Sequence, residues 1–439
     1  MKYRYLHLSD ASTYAILEPF MHLNFRAFFR KIHINNRLGV PPGKPVLLAV
    51  NHPTAFLDPI LLVLYLQAPI YNMTRGDIFS KPLFRKMMEA VNMFPVYRRR
   101  DGYTGRDRND EVFDWCVEKL RTGRTVTIYV EGEHHLEKRV RPVQKGIARI
   151  AFEAYTRHGQ EDLQIIPVGC NYQYGDRARE EAMVNIGSPI FIRDRWAAYQ
   201  QNPAAATAQL CADIEASLKT VCFHLARPDD DVLAEQLLTL HRSGLPQPPL
   251  PVVQYDTPRF AGEKAVLDAL NALPEPDRDA LQVRAERYFS ALERAGLDDA
   301  ALMKPQRAHL ARLPLFMLFL PLAFVGWSSS WPVRAFCFWL AGSKVRKKEF
   351  YSSVVLGASF IGSLVYYGLL CGAAALAGGW RGLLLALLLP LLGWFYLLYK
   401  EAWLRFREAW AAKRHPEHAA LLALRREIAQ PASGITGRF

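Results

Sequence analysis

PVLLAV, residues 45–50, is a short and continuous apolar run, as expected of a β-strand buried on both faces. Two later runs have the same character, RTVTIYV at 124–130 and LQIIPVGC at 163–170. Helical patterns lie between them, for example DEVFDWCVEKLRTG at 110–123, which ends on a capping glycine. This alternation predicts an α/β domain over residues 34–225, with a largely parallel sheet flanked by helices.

The residues that follow the first run, NHPTAFLD at 51–58, carry groups suited to base catalysis. A histidine titrates near physiological pH, and a nearby carboxylate can fix its tautomer and stabilise the imidazolium. His52 and Asp58 could form such a pair. Taken alone, such a pair more often has a structural role than a catalytic one.

Four more blocks follow in the chain: NMFPVYRRRDG (92–102), YVEGEHH (129–135), RPVQKGIARIAF (141–152) and IIPVGCNY (165–172). Together with NHPTAFLD, and in this order, they resemble the motifs of the phospholipid/glycerol acyltransferase (PlsC-type) family. The blocks are similar to those of glycerol-3-phosphate and 1-acylglycerol-3-phosphate acyltransferases. The resemblance covers roughly residues 15–225, about half the chain.

The resemblance implies an enzyme that moves a fatty acyl group from acyl-CoA or acyl-carrier-protein to a glycerol-phosphate hydroxyl. The acceptor would be glycerol-3-phosphate or lysophosphatidate, and no metal or further cofactor is expected. His52 would be the general base and Asp58 would orient it. The residues expected to contact substrate are Asn51, Arg98, Glu131, Gly132 and Lys145.

The sequence departs from the family pattern at several positions. Five residues separate His52 from Asp58, where the family usually has four. In the block usually written FPEGTRS, Glu131 and Gly132 are kept while His134 replaces the arginine. Lys145, beside Gly146 at an expected helix N-terminus, is the candidate for a phosphate contact there.

Charge and hydropathy favour a membrane as partner. The formal net charge is +13 and the pI about 9.4, while half of the residues are hydrophobic. No zinc-finger spacing, RNA-binding aromatic signature or basic recognition helix is present, so we expect no nucleic-acid partner. Basic residues beside apolar segments instead suit an anionic lipid surface. The absence of a secretory signal pattern at the N-terminus favours a cytoplasmic catalytic domain.

The remaining segments divide by composition. Residues 1–33 are expected to form an amphipathic helix, which lies on the membrane or packs on the domain. A linker and helical region follow the catalytic domain at 226–310. Residues 311–400 are expected to form the membrane region and 401–439 a basic cytoplasmic tail.

Within the membrane region, 352–379 and 383–399 are the expected transmembrane helices, joined by a tight GGWRG turn. The basic loop 343–350 and the basic tail should both face the cytoplasm. Residues 313–342 would then enter and leave on the same side, as a re-entrant hairpin. The whole would be an integral membrane protein.

Other classes of function fit less well. A non-catalytic lipid-binding or membrane-tethering protein on an acyltransferase fold is the main alternative. A hydrolase is disfavoured because the sequence has no GxSxG nucleophile elbow. A transporter is disfavoured because the apolar segments carry no cluster of ionisable residues. The six cysteines show neither a disulfide framework nor metal-ligand spacing, which favours a reducing compartment.

Overall fold

The computed structural model describes residues 8–66, 69–76, 92–96 and 106–429. The chain forms two compact units. The first comprises Met1–Phe223, Val252–Thr257 and Val345–Leu356, and the second comprises His224–Pro251, Pro258–Lys344 and Gly357–Phe439.

A single mixed sheet is the centre of the first unit. Its strands are β1 (Lys31–Asn35), β2 (Val46–Val50), β3 (Ile70–Arg75), β4 (Met93–Val96), β5 (Thr125–Tyr129), β6 (Gln164–Tyr172), β7 (Glu181–Ile186), β8 (Ile190–Phe191) and β9 (Val253–Tyr255). Among the described residues the order is β4-β3-β5-β2-β6-β7-β1-β9, with β8 paired to β6. Of the eight strand pairings described, six are parallel and only those of β6 with β7 and with β8 are antiparallel, so the predicted α/β fold with a largely parallel sheet is confirmed.

Strand β2 lies between β5 and β6 and pairs in parallel with both, Val50 being opposite Tyr129 on one side and Val168 on the other. All five of its residues are buried. Because successive side chains of a strand point to opposite faces, complete burial means that both faces of the sheet are covered here. The three strands end at the same edge, where ligands bind in open α/β sheets.

The helices of the first unit flank the sheet. They are α1 (Leu8–Phe28), α2 (Leu57–Tyr65), α3 (Arg106–Arg121), α4 (Gly146–His158), α5 (Arg193–Gln201) and α6 (Pro203–Val221). Apolar side chains of α3, α4 and α6 form one core cluster with Leu47 and Ala49 of β2. Gly169 of β6 is required where α6 ends, because a Cβ there would lie 2.0 Å from the Val221 carbonyl oxygen.

Two boundaries differ from the sequence prediction. Residues 31–33, expected in the N-terminal helix, belong to β1, because that strand pairs with β7 and β9 and its side chains are buried. Residues 252–257, expected in the linker region, return to the first unit and add β9 to the sheet. In α1 the last turn packs inward through Phe25 and Phe28, whereas Phe20 is exposed; contact of this helix with a membrane stays a prediction.

The second unit is helical. Its helices are α7 (Asp231–Gly244), α8 (Arg259–Asn271), α9 (Glu275–Ala295), α10 (Asp299–Met303), α11 (Leu313–Lys344), α12 (Lys348–Arg414, of which 348–356 belong to the first unit) and α13 (His418–Ala429). Buried ion pairs hold the smaller helices together. Arg425 of α13 binds Asp299 at 2.8 Å, and Arg242 of α7 binds Glu263 of α8 at 2.7 Å.

Helices α11 and α12 are long and apolar enough to cross a membrane. Helix α12 is interrupted at Gly379, whose φ of 60° and ψ of −147° are not helical. This break falls in the GGWRG segment for which the sequence predicts a turn between two helices. Glycine adopts such a conformation without the steric cost of a side chain.

The hairpin expected at 313–342 is instead one helix, α11, with Pro321 and Pro332 inside it. It packs against the second half of α12. Phe319 contacts Phe395, a Cβ on Gly326 would meet Leu392, and Arg334 lies over the Tyr396 ring.

Two features of helix α11 favour a bend near 326–332. Proline removes a helical hydrogen bond and clashes with the preceding turn, which bends a helix. The hydroxyl of Ser330 donates to the Gly326 carbonyl at 2.6 Å, a back-bond that favours the same bend. The side of the membrane on which each end lies stays a prediction.

Candidate active site

His52 and Asp58 form a direct pair at the carboxyl end of β2. The Nδ1 atom of His52 lies 2.7 Å from Oδ2 of Asp58. Asp58 is fully buried in the first turn of α2, and His52 is largely buried in the loop before it. A carboxylate can only accept hydrogen bonds, so Nδ1 carries the proton and Nε2 keeps a lone pair. The fifth intervening residue is accommodated in the loop 53–56 and does not separate the pair.

Four donors surround the Asp58 carboxylate. Besides His52, they are the Thr54 backbone N–H (3.0 Å to Oδ2), the Thr54 hydroxyl (2.7 Å to Oδ1) and the Tyr172 hydroxyl (2.6 Å to Oδ1). This full set of partners fixes the carboxylate in place and satisfies its charge without water. It also holds the imidazole in one orientation.

Thr54 and Tyr172 were not among the residues selected from the sequence. Tyr172 is the last residue of the block IIPVGCNY, most of which is apolar. Because β6 lies next to β2, the end of β6 reaches Asp58 across the sheet edge. The sequence alone does not show that β2 pairs with β6, so it does not predict the contact between Tyr172 and Asp58.

Asn51 joins β2 to β6 beyond the last strand pair. Its Nδ2 donates to the Cys170 carbonyl at 2.9 Å, and its Oδ1 accepts from the Cys170 N–H at 2.7 Å. The amide therefore acts like one more residue of the parallel ladder and holds the turn that presents His52. We assign Asn51 this positioning role; its expected contact with substrate stays a prediction.

Glu131 and Gly132 form the turn that follows β5. Oε1 of Glu131 accepts from the Arg141 N–H at 3.1 Å, and Gly132 has a φ of +72°, which favours glycine. Burial raises the pKa of Glu131 from 4.5 to about 7, against the lowering effect of backbone hydrogen bonds from Arg141 and His52. Glu131 thus accepts backbone hydrogen bonds from His52, in the loop after β2, and from Arg141, in the loop after β5.

Aromatic rings enclose the His52 imidazole. The Tyr129 ring stacks on it with centroids 3.8 Å apart, and the His134 ring meets it edge-on at 4.1 Å. The His135 N–H donates to the His52 carbonyl at 3.1 Å. The Tyr129 hydroxyl is buried and finds no hydrogen-bond partner among the described residues, which leaves a donor unused beside the catalytic pair.

The first turns of α12 close the site from another direction. The hydroxyl of Ser353 accepts from the Phe56 N–H at 2.9 Å, and the Phe350 ring meets the His134 ring edge-on at 5.2 Å. The segment 345–356 therefore packs on the loop 53–56 and on the loop that contains His134. From the sequence we predict here only a basic loop and the start of a transmembrane helix. Nothing in the composition of this segment indicates contact with residues some 300 positions earlier.

Two other expected substrate contacts, Arg98 and Lys145, stay predictions. Arg98 lies outside the described residues. Lys145 caps the N-terminus of α4 and is exposed, and its charge acts on the Cys211 thiol. No hydrogen bond joins Lys145 to His52 or Asp58, so its role with phosphate stays a prediction.

Two arginines lie in the loop that follows β5. The guanidinium of Arg141 pairs with Glu137 at 2.8 Å, and that of Arg139 lies 3.6 Å from the same carboxylate. Burial, and then the charge of Arg141, lower the pKa of His135. Within the described part of the chain, no group of three or more His, Cys, Asp or Glu side chains could hold a metal ion.

Comparison with known proteins gives one family. Residues 31–171 match the acyltransferase family model. The chain is 23% identical over 217 residues to glycerol-3-phosphate O-acyltransferase 2 of Saccharomyces cerevisiae, which covers 49% of this chain and 28% of that protein. It is 29% identical over 92 residues to glycerol-3-phosphate O-acyltransferase 1 of the same yeast, which covers 21% and 12%.

Among solved structures, the chain is similar to the 1-acyl-sn-glycerophosphate (LPA) acyltransferase PlsC from Thermotoga maritima. The identity is 14% and the TM-score 0.37, over 49% of this chain and 82% of that one. The chain aligns with less than a third of the length of the two yeast proteins. The family match includes His52, Asp58, Glu131 and Lys145. Residues 31–171 are therefore similar in sequence to the acyltransferase family.

Proposed function

We propose that this protein transfers a fatty acyl group from acyl-CoA or acyl-carrier-protein to a hydroxyl of glycerol-3-phosphate or lysophosphatidate. The observation that carries the proposal is the 2.7 Å contact between His52 and Asp58 within the family domain. It leaves the Nε2 lone pair available as a base. The names of the two yeast relatives supply the substrate class.

In the proposed reaction, Nε2 of His52 removes the proton from the acceptor hydroxyl. The oxygen attacks the thioester carbonyl carbon and forms a tetrahedral oxyanion. When that intermediate collapses, the carbon–sulfur bond breaks and the thiolate leaves. The imidazolium then returns the proton to the thiolate, so the products are an ester and a free thiol.

The surroundings of His52 support each step. Asp58 stabilises the imidazolium that forms after proton transfer, because its carboxylate is held 2.7 Å from Nδ1. The unused hydroxyl of Tyr129 is a candidate donor to the substrate or to the oxyanion. Arg139 and Arg141 make the neighbourhood positive, which suits a phosphorylated acceptor or donor.

Glycerol-3-phosphate is our first choice of acceptor. The block RPVQKGIARIAF and the two yeast relatives both favour it. Lysophosphatidate is the second choice. In either case, we expect the apolar helices α11 and α12 to anchor the protein in the membrane, with the catalytic domain on the cytoplasmic face.

The test is acceptor-dependent release of free CoA. Purified full-length protein in detergent is incubated with palmitoyl-CoA and either glycerol-3-phosphate or lysophosphatidate, and thiol is measured continuously. We expect release with one acceptor and a much slower background without it. The same assay with acyl-carrier-protein as donor identifies the donor class.

The main alternative is a non-catalytic lipid-binding protein on this fold. Release that stays at background with both donors and both acceptors, from protein that still melts cooperatively, would favour this alternative. The complete set of hydrogen bonds around Asp58 argues against it, since a lipid-binding role needs no oriented imidazole.

A further inference from the structure

The second unit contains a cavity of about 840 Å³ that the acyl-transfer reaction does not use. It lies where helices α11 and α12 pass from apolar to basic sequence. One end is lined by the cationic residues Lys304, Arg307, Arg312 and Arg405, together with one carboxylate, that of Glu401. The other end is lined by apolar side chains.

The apolar end is built from α11 and the second half of α12. Leu315, Phe319, Phe395 and Leu398 line it. Phe316 packs edge-on against Tyr399, whose hydroxyl donates to the Phe316 carbonyl at 3.1 Å. These contacts hold the two helices together along one side of the cavity.

The cationic end is partly sheltered from water. Burial, followed by the charges of Arg307 and Arg405, lowers the pKa of Lys304 from 10.5 to about 8. Its ammonium group donates to the Leu245 carbonyl at 2.5 Å, which fixes it at the cavity wall. Three like charges brought together in this way are stabilised by a bound anion.

The order of the two ends matches the boundary of a membrane. The apolar segment of candidate span Leu310–Lys344 starts immediately after the basic residues, and Arg405 follows the last apolar turns of α12. An amphiphile with an anionic head would place its phosphate among the cations and its chain along the phenylalanines. Clusters of basic residues at the end of a membrane helix favour anionic lipid head groups.

We propose that this cavity binds an anionic phospholipid of the bilayer, with the head-group phosphate at Lys304, Arg307 and Arg405 and an acyl chain at Phe319 and Leu398. The proposal does not depend on the acyl-transfer function. The occupant is a membrane lipid instead of a soluble phosphate, because the cations open onto an apolar wall at a membrane-spanning helix. Glu401 disfavours a head group of high negative charge, so phosphatidylglycerol is the probe of choice.

Native mass spectrometry of the full-length protein in a mild detergent tests this binding. Phosphatidylglycerol and phosphatidylcholine of equal chain length are added separately, and the bound fraction is measured. We expect phosphatidylglycerol to bind at least ten times more tightly than phosphatidylcholine. Equal binding of the two lipids would refute the assignment of the cations to the head group.

Two variants locate the site. Lys304→Gln with Arg307→Gln removes two charges while keeping hydrogen-bond donors, and should weaken phosphatidylglycerol binding about tenfold. Leu398→Trp should fill the apolar end and weaken both lipids. As a charge-matched control, Arg346→Gln with Lys347→Gln lies outside the cavity and should leave binding unchanged. If the control lowers binding as much as the cavity variant, binding is general electrostatic attraction and the proposal fails.

A third arm separates a lipid from a soluble phosphate. Inorganic phosphate and glycerol-3-phosphate are added as competitors at millimolar concentration. We expect neither to displace phosphatidylglycerol or to raise the melting temperature through this site. If inorganic phosphate or glycerol-3-phosphate displaces phosphatidylglycerol, and binds the Leu398→Trp variant as tightly as the wild type, the cavity is a site for soluble phosphate. That result would overturn the lipid assignment. Because melting temperature and binding are measured for every variant, unfolding of a variant is detected directly.

Discussion

Replacement of Asp58 by asparagine separates the charge of this residue from its hydrogen bonds. The Oδ2 side faces two fixed donors, the His52 ring N–H and the Thr54 backbone N–H. The Oδ1 side faces two hydroxyls, those of Thr54 and Tyr172, which can rotate to accept. The amide NH2 of Asp58→Asn should therefore turn toward the hydroxyls, and its oxygen should still accept from His52.

The variant is expected to keep the reactive tautomer of His52 and to lose only the negative charge. At a separation of roughly 4 Å and an effective dielectric constant of about 20, that charge stabilises the imidazolium by ~4 kcal/mol. This corresponds to a loss of about a thousandfold in kcat. The acceptor KM should change little, because Asp58 is fully buried.

Steady-state CoA release and nitrogen NMR of labelled histidine measure the two parts of this prediction. Loss of less than tenfold in kcat would show that the charge of Asp58 contributes little. A proton on Nε2 in the NMR spectrum would show that the amide had turned the other way, and that the hydroxyls do not control its orientation. Asp58→Ala is the comparison variant, and it should be less active than Asp58→Asn.

Three further changes give distinct outcomes. Tyr172→Phe removes one charge-assisted hydrogen bond from Asp58 and should cost about 1.5–3 kcal/mol of stability, seen as a lower melting temperature; an unchanged melting temperature contradicts this. Glu131→Gln should equal the wild type in stability at pH 4 and exceed it at pH 8. Burial raises the pKa of the Glu131 carboxyl from 4.5 to about 7, so the wild type loses stability, about 3 kcal/mol in all, as pH rises through that interval. A stability difference that is constant with pH would refute the raised pKa. Gly169→Ala should prevent accumulation of folded protein, since its Cβ would lie 2.0 Å from the Val221 carbonyl oxygen, and normal expression and melting would contradict the packing described.

The sequence predicted those parts of the site that are local in the chain. His52 and Asp58 lie in one short block, and a buried strand followed by a helix places both at the sheet edge. The apolar runs predicted parallel strands because burial on both faces leaves a continuous hydrophobic pattern. The break at Gly379 was also predictable, since a pair of glycines stands between two apolar segments.

The parts that the sequence did not predict depend on contacts between distant segments. Tyr172 reaches Asp58 only because β6 pairs with β2, and Ser353 reaches Phe56 across nearly 300 residues. Strand β9 is three residues long and lies in a proline-rich stretch, so its pairing with β1 has no local signal.

The most direct test of the account is formation of acylated product by His52→Ala beside a matched control. His158 lies on the surface at the end of α4, so His158→Ala removes an imidazole without touching the site. Lipid mass spectrometry after incubation with palmitoyl-CoA and glycerol-3-phosphate or lysophosphatidate measures the ester. We predict full product from the wild type and from His158→Ala, and loss of at least a thousandfold from folded His52→Ala. Product from His52→Ala within tenfold of the wild type would contradict the assignment of His52 as the base.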